Sequence, residues 1–376
     1  VGGWSNPINA LYEVKSNKFP SKSFIDFQHD VTADDVRLAH REGFVSVEHL
    51  KRYTTLGMAN DQGKMGNIIG LSLMAEQLDK TIPEVGTTVF RPPYTPVPIG
   101  ALTGRNVDKH FRPLRVTPMH QWNIDHGAKM IDVGLYQRPW YYPQNNETLS
   151  DSYIREATIV RKTVGICDVT TLGKIDIKGA DVSEFLNKVY VNAFAKVPVG
   201  KTRYGLMLRE DGMVMDDGTT ARLSENHFVM TTTTANAVNV YRHLQFCHQC
   251  LWPDLDVHMI SVTEQFAQYA VAGPNSRKLL QKVVDSDCDI SNEAFPYMAA
   301  GEITVCGGIP ARLFRISFSG ELAYEIAVQT RYGDSLMRTL IEAGEEFNVV
   351  PYGTEALGVM RIEKGHAAGP ELNGQT

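Results

Sequence analysis

Five prolines lie between Pro83 and Pro98, and this feature limits the possible folds of the chain more than any other. A proline has no backbone N–H and holds φ near one value, so a segment this rich in proline forms neither a central strand nor a long helix. We therefore predict that residues 82–118 are irregular. Because the hydrophobic pattern differs on the two sides of this segment, we also predict a domain boundary near residue 112.

The part before this boundary is predicted to be mainly helical. Residues 1–29 have no clear hydrophobic period and indicate a linker, so residues 30–111 are assigned to a small helical domain that includes the proline-rich segment. Thr32 and Asp35 have the spacing of a capping box at the start of the first helix. The three helices predicted here begin at Ala33, Val47 and Ile68.

Residues 112–376 show strand and helix patterns in alternation. Two short strand patterns, 204–208 and 213–217, flank the turn 209–212, which ends in glycine, as expected of a hairpin. Neighbouring hairpins mixed with helices favour an antiparallel fold over a parallel, doubly wound one. The predicted fold class is therefore α+β, with antiparallel sheets and helices preceded by the small helical domain.

The composition is that of an ordinary globular protein and excludes several functional classes. The chain has 376 residues and a net charge of −6, without the basic stripe of a nucleic-acid binder. No apolar run is long enough to span a bilayer, so no membrane partner is expected. Five cysteines are too few for a secreted disulfide scaffold and indicate a reducing compartment, the cytoplasm.

Two motifs are weak evidence for a binding site. Cys247 and Cys250 form a CxxC within a predicted helix, but a second cysteine pair that would complete a zinc site is missing, so no metal site is predicted. The glycine-bounded loop 57–64 lacks the spacing of a nucleotide-binding P-loop, which leaves a flavin-phosphate or interface role open.

Acidic residues at two strand ends are candidates for chemistry. Asp216 and Asp217 are adjacent on a predicted strand, where neighbouring side chains point to opposite faces, so one can face solvent while the other faces a pocket. Two solvated acids are the ordinary alternative.

Glu321 follows Gly320 in a turn, and a buried carboxylate there would need two donors, such as the parallel N–H groups of a guanidine-like ring edge. A capped turn is the alternative.

A third candidate is Arg361, on a predicted helical face with Leu357 and Met360. Its guanidinium forms a salt bridge or clamps a substrate carboxylate with two parallel hydrogen bonds.

These motifs, in this order, resemble the folate-dependent aminomethyltransferases, of which the glycine-cleavage T-protein is the type member. The resemblance covers residues 112–376. The matching segments are Thr117–His120, Gly165–Thr170, Met215–Asp217, Gly273–Pro274, Gly320–Glu321 and Leu357–Gly365.

The upstream sequence resembles the α-subunit family of heterotetrameric sarcosine oxidases, from about residue 20 onward. In that family a dinucleotide-binding domain precedes this region and a small C-terminal barrel follows it, so we expect the sequence to be part of a longer chain. The matching segments are Phe27–Thr32, Ser46–Thr55 and Phe90–Pro96.

The resemblance implies a T-protein-like folate-binding fold and a function. Sarcosine would be oxidised at a flavin (FAD or FMN) held by partner flavoprotein subunits, and the one-carbon unit would pass to tetrahydrofolate bound by this chain, giving 5,10-methylenetetrahydrofolate. Asp217 would be the catalytic carboxylate. The implied folate contacts are Glu321, which would accept hydrogen bonds from the pterin edge, and Tyr204, Tyr324 and Arg361.

The sequence departs from the family patterns at Ser319, where threonine is usual, and lacks cysteines within residues 30–80, so no iron–sulfur cluster is expected there.

Two alternative functions remain open. One is a stand-alone aminomethyltransferase or folate-dependent demethylase, and the other is a non-catalytic subunit that only docks a flavoprotein.

Overall fold

The computed structural model describes residues 10–92, 94–105, 107, 110, 113–368 and 371. The chain divides into two compact units, Val1–Arg112 and Pro113–Thr376. None of the described helices is long and apolar enough to cross a lipid bilayer.

The first unit is a small helical assembly with one two-stranded hairpin. Its apolar core is formed by β1, β2 and the first three helices, whereas the two short helices that follow have no fully buried residue. The elements are β1 (Phe24–Asp26), β2 (Val31–Thr32), α1 (Ala33–Arg41), α2 (Val47–Thr54), α3 (Asn67–Leu78), α4 (Ile82–Val85) and α5 (Ile99–Leu102).

Local chemistry explains why these elements begin where they do. Thr32 and Asp35 form the expected capping box at the start of α1. The side chain of Asn67, the first residue of α3, packs between two glycines that both have positive φ, Gly57 at +71° and Gly63 at +78°. A Cβ on Gly57 would lie 2.3 Å from Asn67 Oδ1. Tight packing on Asn67 therefore accounts for the glycines of the 57–64 loop.

In its described residues, the second unit begins with a helix and a hairpin, continues with ten strands and their connecting helices, and has a two-residue strand before its last helix. In chain order the elements are α6 (His120–Asp125), β3 (Lys129–Val133), β4 (Tyr136–Tyr141), α7 (Leu149–Lys162), β5 (Gly165–Asp168), β6 (Gly173–Lys178), α8 (Val182–Val189), β7 (Lys201–Leu208), β8 (Val214–Ser224), β9 (His227–Thr232), α9 (Ala237–Phe246), β10 (His258–Ser261), β11 (Phe266–Ala272), α10 (Ser276–Leu280), β12 (Ala300–Val305), β13 (Ile309–Phe314), β14 (Ala323–Gln329), α11 (Gly333–Gly344), β15 (Val350–Pro351) and α12 (Thr354–Glu363).

Two sheets organise this unit. A five-stranded sheet has the order β10-β6-β9-β8-β7, and a six-stranded sheet has the order β12-β13-β14-β11-β5-β15. Both are antiparallel except where β15 pairs in parallel with β5. The strands β3 and β4 form a separate hairpin.

Each sheet has one face covered by helices and one face turned toward the other sheet. Helices α8 and α9 pack on the five-stranded sheet, and α10 and α11 pack on the six-stranded sheet. Between the sheets, Ala221 and Val229 of the first contact the cluster that contains Phe314 and Ala327 of the second. We call the region between these two facing surfaces the inter-sheet space.

The predicted α+β class with antiparallel sheets is confirmed. The hairpin predicted around residues 209–212 is present as β7 and β8. The sequence analysis assigned neither the β3–β4 hairpin nor α6, α7 and β5, although α7 carries a complete capping box between Thr148 and Asp151.

Candidate functional site

The hairpin β7–β8 places the two adjacent aspartates on opposite faces of the five-stranded sheet. Asp216 lies opposite Met207, whose side chain is in the core beneath α8 and α9. Asp217 lies opposite Leu206. Because side chains alternate along a strand, Asp217 is on the face that borders the inter-sheet space.

Asp216 is a buried carboxylate with a complete set of local partners. It accepts hydrogen bonds from Thr233 Oγ1 at 2.6 Å, from the Thr233 amide at 3.2 Å and from Asn236 Nδ2 at 3.4 Å. Burial raises the pKa of Asp216 to about 6, against the opposing effect of these donors. The contacts fix the loop after β9 to β8, which is a structural task.

Asp217 is in a different environment from its neighbour. Its side chain is only partly buried and accepts one hydrogen bond from another side chain, that of Tyr204 OH at 2.9 Å. Partial burial raises the pKa of Asp217, while the Tyr204 hydroxyl acts in the opposite direction. Tyr204 is itself 42% exposed. The carboxylate can therefore accept further hydrogen bonds from a ligand.

At another place on the same face, an ion pair ties the two sheets together. Arg312 of β13 donates two hydrogen bonds to Asp176 of β6, at 2.8 and 2.7 Å, and His227 Nε2 lies 3.1 Å from the same carboxylate. Burial acts to raise the pKa of Asp176, but the hydrogen bonds from His227 and Arg312, together with the charge of Arg312, hold it below its usual value. Together with the apolar contacts of Ala221 and Val229, this ion pair fills the inter-sheet space at that place. Tyr204 and Asp217, in contrast, are partly exposed, and we call their position the open end of the inter-sheet space.

Glu321 lies in the turn before β14. Its carboxylate is 3.8 Å from Arg161 Nε and 3.8 Å from Lys364 Nζ, with its side chain 18% exposed. Gly320 has a φ of +77°, and a Cβ there would lie 2.0 Å from the Lys364 side chain. The turn is therefore held against the end of α12, and the carboxylate already has two cationic neighbours.

The remaining two sequence candidates have their polar groups engaged. Arg361 donates to the His366 carbonyl at 3.0 Å and to Glu371 Oε1 at 2.8 Å, which lowers the pKa of Glu371 to about 2. Tyr324 is fully buried beneath the six-stranded sheet, and its hydroxyl accepts from Arg277 Nε at 2.7 Å. Because its ring has no exposed surface, we leave Tyr324 out of the proposed site.

The structure thus groups the candidates into pairs. Tyr204 and Asp217 are in direct contact on adjacent strands. Glu321 and Arg361 are both near the C-terminal end of α12. Glu321 is close to Lys364, which follows the helix, and Arg361 is in its last turn. No hydrogen bond or ion pair among the described residues joins one pair to the other.

Sequence reasoning missed a group of four ionisable side chains buried where the two sheets approach. We call it the buried charge cluster: Arg138 of β4, Asp168 of β5, Lys174 of β6 and Glu325 of β14. The signal that could have revealed it is a charged residue within an otherwise apolar strand, as with Lys174 next to Ile175 and Glu325 between Tyr324 and Ile326.

The two carboxylates of this cluster have hydrogen-bond donors. Asp168 accepts from Thr117 Oγ1 at 2.6 Å and from the Thr170 amide at 3.0 Å. Glu325 accepts from the amide group of Gln268, and burial raises its pKa. Buried acids of this kind need such donors, because an unpaired buried charge is costly.

The two cations are less completely paired. Arg138 Nη2 donates to the Asp168 carbonyl at 3.4 Å, while its Nε has no hydrogen-bond partner among the described residues. Lys174 Nζ donates to the carbonyls of Thr170 at 2.6 Å and Leu172 at 2.9 Å. Burial lowers the pKa of Lys174 to about 7.

A short chain of contacts connects this cluster with Asp216. The turn 169–172, which holds Lys174 Nζ, contacts the loop after β9 through Thr171 Oγ1 and Thr234 Oγ1 at 3.0 Å. The preceding residue of that loop, Thr233, binds Asp216. These contacts connect the cluster with Asp216 and the loop after β9, not with Asp217, which lies on the other face of the sheet.

The cysteine motif has no comparable arrangement. Cys247 is buried with Sγ 3.5 Å from His243 Nε2, whereas Cys250 is exposed. In the ranges that the structure describes, no group of three or more histidine, cysteine, aspartate or glutamate side chains is arranged to hold a metal ion.

Two family models match this sequence. The GCVT N-terminal domain matches residues 119–376, which include both sheets and every candidate described above. The chain belongs to the GCVT N-terminal domain family. The Sarcosine oxidase A3 domain matches residues 20–105, within the first unit.

Curated relatives fall into two groups. The chain is 55% identical to the sarcosine oxidase subunit alpha of Rhizobium meliloti (strain 1021) over 94% of its own length and 36% of the relative's. It is 30% identical to an aminomethyltransferase of Thermus thermophilus, covering 70% of each chain. The chain thus spans about a third of the length of the sarcosine oxidase α subunits that it matches.

A solved structure supports the same fold. The glycine cleavage system aminomethyltransferase T from Bartonella henselae matches with a TM-score of 0.57 and 22% identity, over 67% of this chain and 63% of that one. The expected T-protein-like fold and the expected resemblance to both groups of proteins are therefore confirmed.

Proposed function

We propose that residues 113–376 bind reduced folate at the open end of the inter-sheet space and transfer a one-carbon unit to it, as part of a sarcosine oxidase α subunit. The observation that carries this proposal is the placement of Asp217. Its carboxylate borders the space, receives a side-chain hydrogen bond only from Tyr204 among the described residues, and retains lone pairs for a ligand.

Asp217 is the proposed catalytic residue. The arylamine nitrogen N10 of tetrahydrofolate is a weak nucleophile, and a carboxylate that accepts its N–H raises its reactivity and stabilises the positive charge that develops as the C–N bond forms. Tyr204 orients this carboxylate by donating to one of its oxygens.

The folate ring needs a second, separate recognition element. We assign the amino-pyrimidinone edge of the pterin to Glu321, since two parallel N–H donors match the two oxygens of a carboxylate. The present neighbours of Glu321, Arg161 and Lys364, lie at 3.8 Å, which leaves both oxygens able to take shorter bonds. Arg361 stays in the proposal as a carboxylate-binding group, because Glu371 already occupies its guanidinium in that manner.

The amine oxidation itself is assigned to partner subunits. The named α subunits among the relatives imply at least one further subunit, and we propose that flavoprotein partners hold the FAD or FMN at which sarcosine is oxidised. We propose a reducing compartment, the cytoplasm, for this assembly, and the low cysteine count supports it. The products would be glycine, peroxide and 5,10-methylenetetrahydrofolate.

Two measurements test this proposal. Calorimetric titration with tetrahydrofolate should show one site per chain, and an oxygen-electrode trace of the chain with sarcosine should stay flat until flavoprotein subunits are added. Peroxide production by the chain alone would contradict the division of labour. Absence of folate binding would favour a subunit that only docks its partners.

A stand-alone aminomethyltransferase or folate-dependent demethylase is the second candidate, favoured by the relative from Thermus thermophilus that matches 70% of both chains. It predicts transfer from an aminomethylated lipoyl protein in the absence of flavoproteins. The match of residues 20–105 to the Sarcosine oxidase A3 domain favours the first candidate.

A further inference from the structure

The nitrogen of Lys174 has the hydrogen-bonding pattern of a neutral amine. An ammonium group has three hydrogens to donate. Lys174 Nζ has two acceptors, the carbonyls of Thr170 at 2.6 Å and Leu172 at 2.9 Å. In the part of the chain that the structure describes, Lys174 forms no ion pair. Its side chain is only 2% exposed, so solvent does not supply a third acceptor. Two acceptors match the two hydrogens of a neutral amine, and in that form the lone pair of the nitrogen is free.

The surroundings of this nitrogen are polar and incompletely paired. The charged groups that act on it come from three elements: Asp168 of β5, Glu325 of β14 and Arg138 of β4. The two acids favour the ammonium form and Arg138 disfavours it. Two buried polar atoms of the same region, Arg138 Nε and the Tyr352 hydroxyl, have no hydrogen-bond partner within the part of the chain that the structure covers. Unpaired buried polar atoms of this kind commonly mark the place of a small polar molecule.

Lys174 also lies on the same face of the five-stranded sheet as Asp217. Its strand neighbours Ile175 and Ile177 point into the core beneath α8 and α9, so Lys174 and Asp176 point to the inter-sheet space. The ion pair between Asp176 and Arg312 of the other sheet shows that this face of β6 is turned toward the inter-sheet space.

We propose that Lys174 is a carbonyl-capturing amine that holds formaldehyde as an iminium between amine oxidation and folate. This proposal rests on the proposed function, since it names a covalent carrier for the one-carbon unit of that site. A desolvated, neutral lysine is the nucleophile that proteins use for Schiff bases with carbonyl compounds.

The chemistry balances without a further reactant. The Lys174 nitrogen attacks formaldehyde, a C–N bond forms, and a proton moves from nitrogen to oxygen to give the carbinolamine. Loss of the hydroxyl with one proton, as water, gives the iminium. Glu325, whose pKa burial raises, is a local source of that proton. One folate nitrogen then attacks the iminium carbon, and its proton returns to the Glu325 carboxylate. The second folate nitrogen forms its C–N bond as the C–N bond to Lys174 breaks, and its proton passes to the departing lysine nitrogen, which returns Lys174 to its starting form.

The experiment is reductive trapping on the protein in its native assembly. The enzyme is treated with isotopically labelled formaldehyde, at a concentration equal to that of the protein, and cyanoborohydride, and methylated lysines are located by peptide mass spectrometry. An exposed lysine with a pKa of about 10.4 is almost fully protonated at pH 7. We therefore expect Lys174 to be methylated at least about 10-fold faster than Lys178, the exposed lysine at the other end of β6, at neutral pH.

Variants then test the carrier role. Lys174→Met and Lys174→Arg should both lose the label, lower the ratio of methylenetetrahydrofolate to free formaldehyde during turnover, and leave folate binding measurable. Lys178→Met is the matched control and should change neither. Lys174→Arg keeps a cation in the cluster, so it still tests the carrier role if Lys174→Met does not fold.

Two results would overturn the inference: Lys174 unlabelled while exposed lysines are labelled, or a product ratio that neither variant alters. Failure of the proposed function has a different signature, because trapping of formaldehyde does not require folate. In that case tetrahydrofolate does not bind, whether or not Lys174 is labelled.

Discussion

The open end of the inter-sheet space and the buried charge cluster use the same residue types for different purposes. At the open end, Asp217 and Tyr204 share one hydrogen bond and are accessible to a ligand. In the cluster, Asp168 and Glu325 are enclosed and receive donors from the protein itself. Local burial, rather than residue type, therefore decides whether an acid is available for chemistry.

The same contrast recurs over very short sequence distances. Asp216 and Asp217 are adjacent, yet one is fixed by Thr233 and the other borders the space. Glu321 and Glu325 are four residues apart, yet the first lies in an accessible turn and the second is inside the six-stranded sheet. These two pairs provide matched variants for testing the comparison.

The largest effect is expected from Asp217→Asn. Positioned acid–base assistance is worth roughly 10²- to 10⁴-fold in rate, so formation of methylenetetrahydrofolate should fall by that order while amine oxidation continues. Free formaldehyde should appear instead. The measurement is the ratio of the two products at saturating folate.

Asp216→Asn is the control for this experiment. If Asp216→Asn changed the product ratio and Asp217→Asn did not, the assignment of faces would be wrong. If neither changed it, the pair would have only a structural role.

The second effect is expected from Glu321→Gln. The amide presents a donor where the pterin edge requires an acceptor, and an unpaired buried group costs about 1–3 kcal/mol, so folate affinity should fall roughly 5- to 150-fold. Glu325→Gln should instead lower the free energy of unfolding with little direct effect on folate affinity. Calorimetry and urea unfolding separate the two, and equal folate affinity in wild type and Glu321→Gln would reject this assignment.

A smaller effect is expected from Tyr204→Phe. Loss of the hydroxyl removes the donor that opposes the raised pKa of Asp217, so that pKa should rise further. Because the bond is partly exposed, we expect a rate loss of only about 3- to 10-fold. The acidic limb of the pH–rate profile for methylenetetrahydrofolate formation should move to higher pH. An unshifted limb would mean that Tyr204 does not act through Asp217.

The smallest effect concerns the pH dependence of stability. The folded-state pKa of Asp216, about 6, is above its ordinary value of 3.8, so its contribution to stability is present at low pH and is lost as the pH rises through 6. Asp216→Asn cannot titrate. The stability advantage of wild type over this variant should therefore shrink by about 1 kcal/mol between about pH 5 and about pH 7.5. A difference that grows with pH, in urea unfolding, would contradict the buried environment of Asp216.

Much of this arrangement was predictable from local sequence signals. The Thr32 cap, the β7–β8 hairpin and the α+β class each depend on residues close together in the chain. The alternation of a strand predicted that Asp216 and Asp217 would point in opposite directions, but the apolar neighbours Val214 and Met215 gave no indication of which face is covered. That depends on the packing of α8 and α9.

The buried charge cluster was beyond local reasoning because its members come from four different strands. Asp168 and Glu325, for example, are far apart in sequence and are brought close by the pairing of β11 with β5 and β14. Similarly, Tyr324 has the residue type of a ligand contact, but its position in β14 directs it into the core beneath α10 and α11.

The central claim is that reduced folate binds in the inter-sheet space with its reacting nitrogen beside Asp217. A crystal structure of the assembled protein with a tetrahydrofolate analogue tests this most directly. We predict that N10 lies within hydrogen-bond reach of an Asp217 carboxylate oxygen, at about 2.6–3.2 Å, with the pterin edge on Glu321. Binding of the analogue at a place remote from Asp217, or on the face of the sheet that carries Asp216, would contradict the account.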